Sequence, residues 1–243
     1  MRYLLTISYL GSAYHGWQVQ PNGITVQEKL QDALEQVYKV RPAVTGCSRT
    51  DAGVHAREFC CHYNVEQLIP ENGIIAALNT VLPNDISVVG CKIVDDDFHA
   101  RYSAKGKNYI YRIYNKNLPN PFYADRSWQI SRPLNLEKMN VFLSSLIGTH
   151  DFIAFSSSGR SVENTVRTIT ECKAEIKGDF VEISVSGNGF LYNMVRIIVG
   201  TAIEVSDGKL SEDIALEIFK TNNRNLAGIT APAHGLFLNK VFY

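Results

Sequence analysis

Residues 46–56 read Gly46-Cys47-Ser48-Arg49-Thr50-Asp51-Ala52-Gly53-Val54-His55-Ala56. The apolar run Pro42–Val44 precedes this stretch, and the alternating segment 59–65 follows it. Such flanks are typical of two strands, so the residues between them are predicted to form an exposed connection. Glycines frame the stretch, and glycine allows positive φ and close backbone approach. The sequence therefore predicts a shaped loop that carries Arg49, Asp51 and His55.

Three interpretations of this loop are open from the residues alone. In the first, Arg49 and Asp51 form a surface ion pair, worth about 0–1 kcal/mol, and His55 is solvated. In the second, Cys47 or Ser48 is the nucleophile of a hydrolase, although the Gly-x-Ser-x-Gly setting of a nucleophile elbow is absent. In the third, Asp51 itself is the nucleophile or base, and the positive charge of Arg49 keeps it ionised.

The composition is that of an ordinary globular protein. Its 243 residues, 45% hydrophobic and 20% charged, suffice for one large domain or two small ones. No apolar run reaches the roughly 18 residues of a membrane span, and residues 1–7 are predicted to form a strand rather than a signal peptide. The formal net charge is zero, which argues against binding nucleic acid through bulk charge alone. We expect a cytoplasmic protein with no membrane segment.

The cysteines and histidines predict neither disulfides nor a metal site. The five cysteines are an odd number without a Cys-x-x-Cys pair, which indicates reduced thiols. The six histidines are scattered, and the adjacent Cys60 and Cys61 should point to opposite faces of a strand. We therefore predict no metal and no other cofactor.

Hydrophobic periodicity predicts an α+β protein with two halves, residues 1–104 and 105–243. In the first half, Thr25 and Glu28 form a capping box that opens a helix, and a second helix at 71–81 ends before Pro83. Strands are predicted before the loop and at 4–10, 58–65 and 86–94. The resulting order, β-α-β-β-α-β, is that of a ferredoxin-like (RRM-like) unit. Tyr14 and Trp17, between the first strand and the first helix, either close the edge of the core or form a wall against a substrate.

The second half repeats this plan loosely. Strands are predicted at 107–114, 167–176, 180–186 and 236–243, and helices at 135–147, 191–205 and 211–220. Asn135 and Ser211 are the predicted caps of two of these helices. We therefore expect two ferredoxin-like halves related by a pseudo-twofold axis, with a central antiparallel sheet and an active-site cleft between them.

The middle of the chain is basic and aromatic. Residues 98–132 hold seven basic side chains against one acid, Asp125, with tyrosines and a tryptophan among them. Such a stretch suits phosphates, and its aromatic rings could stack on bases. Alternatively, half of the tyrosines are ordinary strand residues; alternation places Tyr109 and Tyr111 on one face. Further along, the polar segment Ser156–Arg160 is predicted to form a loop that touches RNA.

Arg196 is the single charged residue between Gly187 and Thr201. It lies where a helix is predicted to begin after a glycine-containing turn. Either its side chain snorkels to solvent at the flank of the helix, or it pairs with a buried acid. The apolar surroundings favour the pair.

Several of these stretches resemble the tRNA pseudouridine synthases of the TruA family. The contiguous run Arg49–Ala56 is similar to the family's active-site loop. Further blocks that resemble the family are Gly16–Gln18, Asp97–Arg101, Lys107–Arg112, Asp151–Phe155 and Gly187–Arg196. The chain departs from the family pattern at Cys47-Ser48, where Ala-Gly is expected. Both replacements are small, so they concern the packing of the loop rather than its chemistry.

The resemblance implies an isomerase that converts uridine to pseudouridine at positions 38 to 40 of the anticodon arm of tRNA, as a homodimer. It makes Asp51 the catalytic carboxylate, with Tyr109 stacked on the target base and Arg196 in contact with Asp51. Arg49 would help to hold the base that leaves its stack. His55, Arg101, Lys105 and Lys107 are the further residues expected to bind the substrate. Asp51 could attack the ribose, attack the base or abstract a proton, and the sequence does not separate these routes.

Two other classes of protein compete with this interpretation. A non-catalytic RNA-binding module is one, because ferredoxin-like sheets with aromatic residues commonly bind RNA. The retention of both Asp51 and Tyr109 in family-like blocks argues against it. The hydrolase built on Cys47 or Ser48 is the other.

Overall fold

The computed structural model describes residues 1–157 and 163–243, so the predicted RNA-contacting segment Ser156–Arg160 lies largely outside the described residues. In the described part, the chain is a mixed α+β protein with five α-helices and mostly antiparallel strand pairing. The predicted α+β class is therefore confirmed. The chain clusters into two compact units, Met1–Lys105 with Phe237–Tyr243, and Gly106–Leu236.

The helices and strands follow one another along both units. In chain order they are β1 (Arg2–Tyr9), α1 (Val26–Tyr38), β2 (Val44–Gly46), β3 (His55–Asn64), α2 (Glu71–Val81), β4 (Ile86–Val94), β5 (Gly106–Tyr114), β6 (Trp128–Gln129), α3 (Leu136–Ser144), β7 (Gly148–Asp151), β8 (Val166–Lys177), β9 (Phe180–Gly187), α4 (Met194–Ser206), α5 (Ile214–Thr221) and β10 (Leu236–Phe242).

The first unit is built on β1, which lies between β3 and β4 and pairs with both in antiparallel fashion. On its other edge, β3 pairs with β2 through residues 61–63 and with β10, in parallel, through His55 and Ala56. The final strand therefore lies in the first unit. The division into 1–104 and 105–243 stays a prediction.

Local signals account for the two helices of the first unit. The hydroxyl of Thr25 accepts a hydrogen bond from the amide of Glu28, and the Glu28 carboxylate accepts one from the Thr25 amide, which confirms the capping box. α2 spans the residues predicted for it, and its last turn closes through the Leu82 amide before Pro83. Both results depend on residues within one helical turn of each other.

Trp17 belongs to the core of the first unit. Its side chain is 1% exposed, and its ring stacks on that of Phe59 at 4.1 Å between centroids. Tyr14 is also buried and donates a hydrogen bond to the Asp85 carboxylate at 2.6 Å. Both rings therefore pack at the edge of the core, which favours the first interpretation, and their contact with a substrate stays a prediction.

The second unit has the strand order β5-β9-β8-β7, with the short β6 parallel to β5. β8 and β9 form the predicted hairpin: Lys177 pairs with Phe180, and Gly178 takes a positive φ of 62° in the two-residue turn between them. α3 packs against β8 and α4. Asn135 caps α3 as predicted, since its side chain accepts a hydrogen bond from the Lys138 amide.

Two helices of the second unit begin later than predicted. α4 begins at Met194 rather than at residue 191, because Asn193 adopts a left-handed conformation with φ of 61° that a continuous helix excludes. α5 begins at Ile214, and Asp213 occupies the cap position that Ser211 was predicted to hold. The Ser211 hydroxyl donates to the Asp213 carboxylate, so it does not cap the helix.

Candidate active site

The loop between β2 and β3 is shorter than predicted. β3 begins at His55, not at residue 58, so the connection is confined to residues 47–54. Inside it, the Val54 amide donates to the Asp51 carbonyl at 3.1 Å and closes a turn. Asp51 is half-buried at this turn, and Arg49 beside it is exposed. The loop therefore carries the Asp51 carboxylate and the Arg49 guanidinium on a short, hydrogen-bonded turn.

A second loop, residues 10–17, holds the first one by backbone contacts. The Trp17 amide donates to the Thr50 carbonyl at 3.1 Å, and the Gly53 amide donates to the Tyr14 carbonyl at 3.3 Å. The approach is close enough to require glycine: a Cβ on Gly16, which has a φ of +85°, would lie 2.5 Å from the Thr50 carbonyl oxygen. These hydrogen bonds fix the backbone on both sides of Asp51, at Thr50 and at Gly53.

Side chains of the first strand add to this support. The Tyr9 hydroxyl and the Thr50 hydroxyl are hydrogen-bonded at 2.8 Å, and Thr50 is buried. A Cβ on Gly11, the residue where the second loop turns, would lie 2.0 Å from the Val54 carbonyl oxygen. The residues on each side of Asp51 are thus anchored to the sheet. Such anchoring keeps a reactive side chain in one geometry.

His55 is a buried residue of β3. Its side chain is 0% exposed, its Nδ1 accepts a hydrogen bond from the Gly11 amide at 3.0 Å, and its ring stacks on Phe237 at 4.6 Å. The interpretation in which His55 is solvated is therefore wrong. These contacts connect the start of β3 to the 10–17 loop and to β10. The role of His55 toward a substrate stays a prediction.

The thiols of this region do not resemble nucleophiles. Cys47 is 0% exposed, and its amide donates to the Cys60 carbonyl at 2.8 Å. Burial raises the pKa of Cys60 and, more strongly, that of Cys61, so both stay protonated near neutral pH. A nucleophile must be able to reach its substrate, and the burial of Cys47 therefore argues against the thiol hydrolase.

The turn at residues 98–105 presents two of the predicted substrate-binding cations. Arg101 and Lys105 are both exposed, and neither has an acidic partner among the described residues. The Lys105 amide donates to the Phe242 carbonyl at 2.8 Å, which ties the end of the turn to β10. The two positive charges are therefore available to a phosphate while their backbone is held.

In the second unit, Tyr109 and Lys107 lie on β5. Tyr109 is 6% exposed, faces Val185 of β9 in the register, and packs edge-to-face against Phe190 at 5.0 Å. Lys107 lies opposite Gly187 at the start of the strand and is half-buried. Tyr109 is thus a rigid aromatic surface whose ring is positioned by packing.

Tyr111, two residues along the same face, has a different environment. It is 0% exposed, and its hydroxyl donates to the Pro232 carbonyl at 2.8 Å. Burial raises its pKa far above the usual range, and the nearby charge of Arg196 opposes that rise. Tyr111 is therefore an ordinary core residue, as one of the sequence alternatives proposed.

Arg196 is held at the N-terminal end of α4. Its Nε donates to the Ala231 carbonyl and an Nη donates to the side chain of Asn193, each at 2.7 Å. Snorkelling to solvent does not describe this arrangement, because the guanidinium is oriented by two directional bonds. Asn193, whose left-handed backbone opens the helix, was not singled out from the sequence. The sequence feature that could have indicated this role is an asparagine, which tolerates positive φ, directly before a helix. The predicted contact of Arg196 with Asp51 stays a prediction.

Most of the basic residues in 98–132 are paired with acids. The four ion pairs are Arg112–Glu182 at 3.1 Å, Lys116–Asp179 at 2.9 Å, Arg126–Asp125 at 3.1 Å and Arg132–Asp207 at 2.6 Å. Three of these acids lie outside the stretch in sequence, so counting charges within it overstated the positive face. That this stretch binds phosphates stays a prediction. Arg101 and Lys105 are exposed and lie outside these four pairs.

The described residues hold neither a cluster of metal ligands nor a helix that could span a membrane. Among residues 1–157 and 163–243, no group of three His, Cys, Asp or Glu side chains is arranged to hold a metal ion. Across the same residues, no helix combines the length and apolar character needed to cross a membrane.

Comparison with known proteins identifies the family. The family described as tRNA pseudouridine synthase matches residues 5–103 and 143–243 of this chain. The chain belongs to the tRNA pseudouridine synthase family. This confirms the resemblance seen in the sequence, and it makes the chain a member of a family of isomerases.

Relatives named tRNA pseudouridine synthase A match over nearly the full length of this chain. The protein of Thermoanaerobacter sp. (strain X514) is 48% identical over 99% of this chain and 98% of its own length. That of Acetivibrio thermocellus is 45% identical over 98% of each chain, and that of Bacillus licheniformis is 42% identical over 100% of this chain and 99% of its own. Among solved structures, a chain of the Cbf5-Nop10-Gar1 complex aligns with 83% of this chain and 45% of its own, with a TM-score of 0.36 and 11% identity, which is too distant to support a conclusion.

Proposed function

We propose that this protein isomerises uridine to pseudouridine in tRNA, with Asp51 as the catalytic carboxylate. The observation that carries the proposal is the Asp51 turn itself. It belongs to a tRNA pseudouridine synthase family member, its carboxylate is half-exposed, and its backbone is hydrogen-bonded on both sides to the 10–17 loop. The relatives are named for tRNA as the molecule on which they act.

The reaction rearranges bonds without a change of redox state. The glycosidic C–N bond breaks, the uracil rotates, and a C–C bond forms between C5 and the ribose C1′; C5 then loses its proton to solvent and N1 gains one, so the product is an isomer of the substrate. A carboxylate at Asp51 serves each of the three possible routes: attack on the ribose, attack on the base, or removal of a proton. The support that the 10–17 loop gives to this turn keeps the carboxylate oriented throughout these steps.

We assign Tyr109 and Arg196 to the same reaction. The ring of Tyr109 is fixed by Phe190, which suits stacking on a uracil, and its hydroxyl can relay the C5 proton by accepting it while passing its own proton to water. Arg196 supplies a positive charge that is oriented by Ala231 and Asn193, which suits a partner for a carboxylate. Arg49 is exposed next to Asp51, where it could hold the nucleotide after the base has left its stack.

The family resemblance adds the finer features of the substrate and the assembly. It points to uridines 38 to 40 in the anticodon arm and to a homodimer, while the order of the predicted elements suggests two ferredoxin-like halves and the reduced cysteines suggest the cytoplasm. We assign Arg101 and Lys105 to phosphates, because both side chains are exposed and have no acidic partner among the described residues, and we keep Lys107 as a predicted substrate-binding residue on the basis of its place in the sequence. We assign His55 to the support of the Asp51 loop, since its ring is buried.

The proposal is tested by tritium release from unmodified tRNA that carries [5-³H]uridine. Wild type should release tritium and Asp51→Asn should not, because the variant keeps the size of the side chain and removes its charge. Asp32→Asn is the matched control, since it removes a carboxylate from the exposed face of α1 and should leave release unchanged. Binding of tRNA should persist in both variants.

The two other outcomes of this experiment are equally informative. If Asp51→Asn released tritium at the wild-type rate, the isomerase activity would be supported, but Asp51 would not be the catalytic carboxylate. Binding without release from any tRNA, by wild type as well, would favour the non-catalytic RNA-binding module.

A further inference from the structure

An aromatic side chain outside the proposed catalytic residues is left open to solvent. Tyr102, in the turn that follows β4 in the first unit, is 76% exposed. Large aromatic side chains bury 150–250 Å² when they pack, so leaving one in water forgoes a large stabilisation. Its ring is therefore available for contact with a ligand.

The ring of Tyr102 is backed by two neighbours. His99 lies against it with 4.3 Å between ring centroids and an interplanar angle of 33°, and the guanidinium of Arg101 lies 5.7 Å from its centroid. The side chain of Tyr102 stays exposed although both of these neighbours contact it. The result is a short stack of planar groups whose outer surface is accessible.

The turn that carries this stack is held by its own hydrogen bonds. The amides of Arg101 and Tyr102 both donate to Nδ1 of His99, at 3.1 and 3.2 Å. The Ser103 amide donates to the His99 carbonyl at 2.8 Å, and the Ser103 hydroxyl accepts from the His99 amide at 3.0 Å. An aromatic ring on such a turn loses little freedom when it binds a ligand.

The turn is also attached to the core of the first unit. The Ala100 amide donates to Nδ1 of His62, and the Tyr243 hydroxyl donates to the Ala100 carbonyl at 2.7 Å. The ring of His62 meets that of His99 edge-on at 5.0 Å. The turn that carries the stack is therefore fixed by the buried His62 and the half-buried Tyr243.

The ring of Tyr102 suits the face of a base, next to the cations that we assign to phosphates. Arg101 and Lys105 are cations, but Asp95, Asp96 and Asp97 directly precede the turn and are exposed. With Arg2, whose guanidinium donates to the Phe98 carbonyl at 2.6 Å, three cations face three carboxylates, so the segment carries no excess of positive charge. Every base offers a π-face to an aromatic ring, and this contact does not need a net positive field.

We propose that Tyr102, supported by His99, stacks on an unpaired base of the substrate tRNA. This inference rests on the proposed function for the identity of the RNA, and it adds a contact that positions the tRNA without taking part in the chemistry. Arg101 extends the same stack with its planar guanidinium. The bound base lies in a single-stranded part of the tRNA, since a base within a helix already stacks on its neighbours.

The test compares four proteins, namely wild type, Tyr102→Ala, Tyr102→Leu and Tyr102→Phe, by fluorescence anisotropy with an unmodified tRNA transcript. Removing one base–aromatic stack should weaken binding roughly 5- to 100-fold in Tyr102→Ala. Tyr102→Phe keeps the ring and should bind within about twofold of wild type, whereas Tyr102→Leu should be as weak as the alanine variant. The slope of log Kd against log salt should not change, because no phosphate contact is lost. All variants should melt at the wild-type temperature, since the side chain is exposed.

Turnover separates this inference from the proposed function. In the tritium assay, Tyr102→Ala should raise KM and leave kcat unchanged at saturating tRNA. Wild-type binding by either the alanine or the leucine variant would overturn the stacking role, as would a phenylalanine variant as weak as alanine. If wild type released no tritium while the binding order held, the proposed function would fail and the base-stacking contact would stand.

Discussion

Replacing Gly16 by alanine should damage the Asp51 loop more than an ordinary glycine substitution does. The new Cβ would lie 2.5 Å from the Thr50 carbonyl oxygen and 3.2 Å from the Asp51 carbonyl carbon, whereas real Cβ contacts essentially never fall below 3.0 Å. The loop must therefore move by about half an ångström or more. The positive φ adds about 1–2 kcal/mol of backbone strain, and the overlap adds about 1–3 kcal/mol, so the free energy of unfolding should fall by about 2–5 kcal/mol.

The same displacement should lower catalysis, because small misplacements of a reacting group reduce rates by up to about 100-fold. We expect kcat for tritium release to fall roughly 10- to 100-fold in Gly16→Ala, with tRNA binding retained. Gly178→Ala is the matched control: its φ is +62°, but a Cβ there meets nothing within 4 Å. That variant should lose only about 1–2 kcal/mol of stability, measured by urea unfolding, and keep the wild-type kcat.

Equal behaviour of the two alanine variants would refute this reasoning. If Gly16→Ala were no less stable than Gly178→Ala and its kcat stayed within about twofold of wild type, the contact between the two loops would not be holding the carboxylate.

Three further predictions concern the core, a buried histidine and the surface charges. Trp17→Ala should lower the free energy of unfolding by about 3–5 kcal/mol, because the ring is buried; a smaller loss together with weaker tRNA binding would favour the substrate-wall hypothesis. Burial, and to a smaller extent the charges of nearby groups, lowers the pKa of His62 to about 4 in the folded protein. As the pH drops from about 6.5 to 4, this histidine is protonated in the unfolded chain before it is protonated in the folded one. The free energy of unfolding should therefore fall over this range. His62→Asn, which keeps an acceptor for the Ala100 amide without titrating, should flatten this fall in urea unfolding at several pH values; an unchanged slope would contradict the assignment. Lys105→Ala should weaken tRNA binding and reduce the salt slope by about one, whereas Arg132→Ala, which removes a residue already paired with an acid, should do neither; the reverse order would show that the paired arginine contacts the tRNA.

The features that the sequence predicted well are local. The capping box of α1, the bounds of α2 and the hairpin between β8 and β9 each depend on residues within a few positions of one another. Where two local signals compete, the prediction is less secure. Ser211 and Asp213 are both cap formers, and the structure places Asp213 at the cap while the serine bonds to it.

The candidate site follows the same division. The density of chemically active side chains in residues 46–56, and the family resemblance that it carries, are properties of the sequence. The sequence does not show that His55 is buried, because its burial depends on where β3 begins and on the contacts of His55 with Gly11 and Phe237. Nor could the spacing of Gly16 and Thr50 in the chain show that their backbones approach so closely.

The sequence by itself determined the class of the fold, the identity of the family and the residues that offer catalytic chemistry. Only the tertiary structure decided which charges remain for a substrate and where the last strand lies. Arg112 pairs with Glu182 and Arg132 with Asp207, partners about seventy positions away, and β10 pairs with β3 across most of the chain. Periodicity and capping act over one or two turns of the backbone, whereas the choice of a distant partner depends on the closure of the whole chain, which no local pattern records.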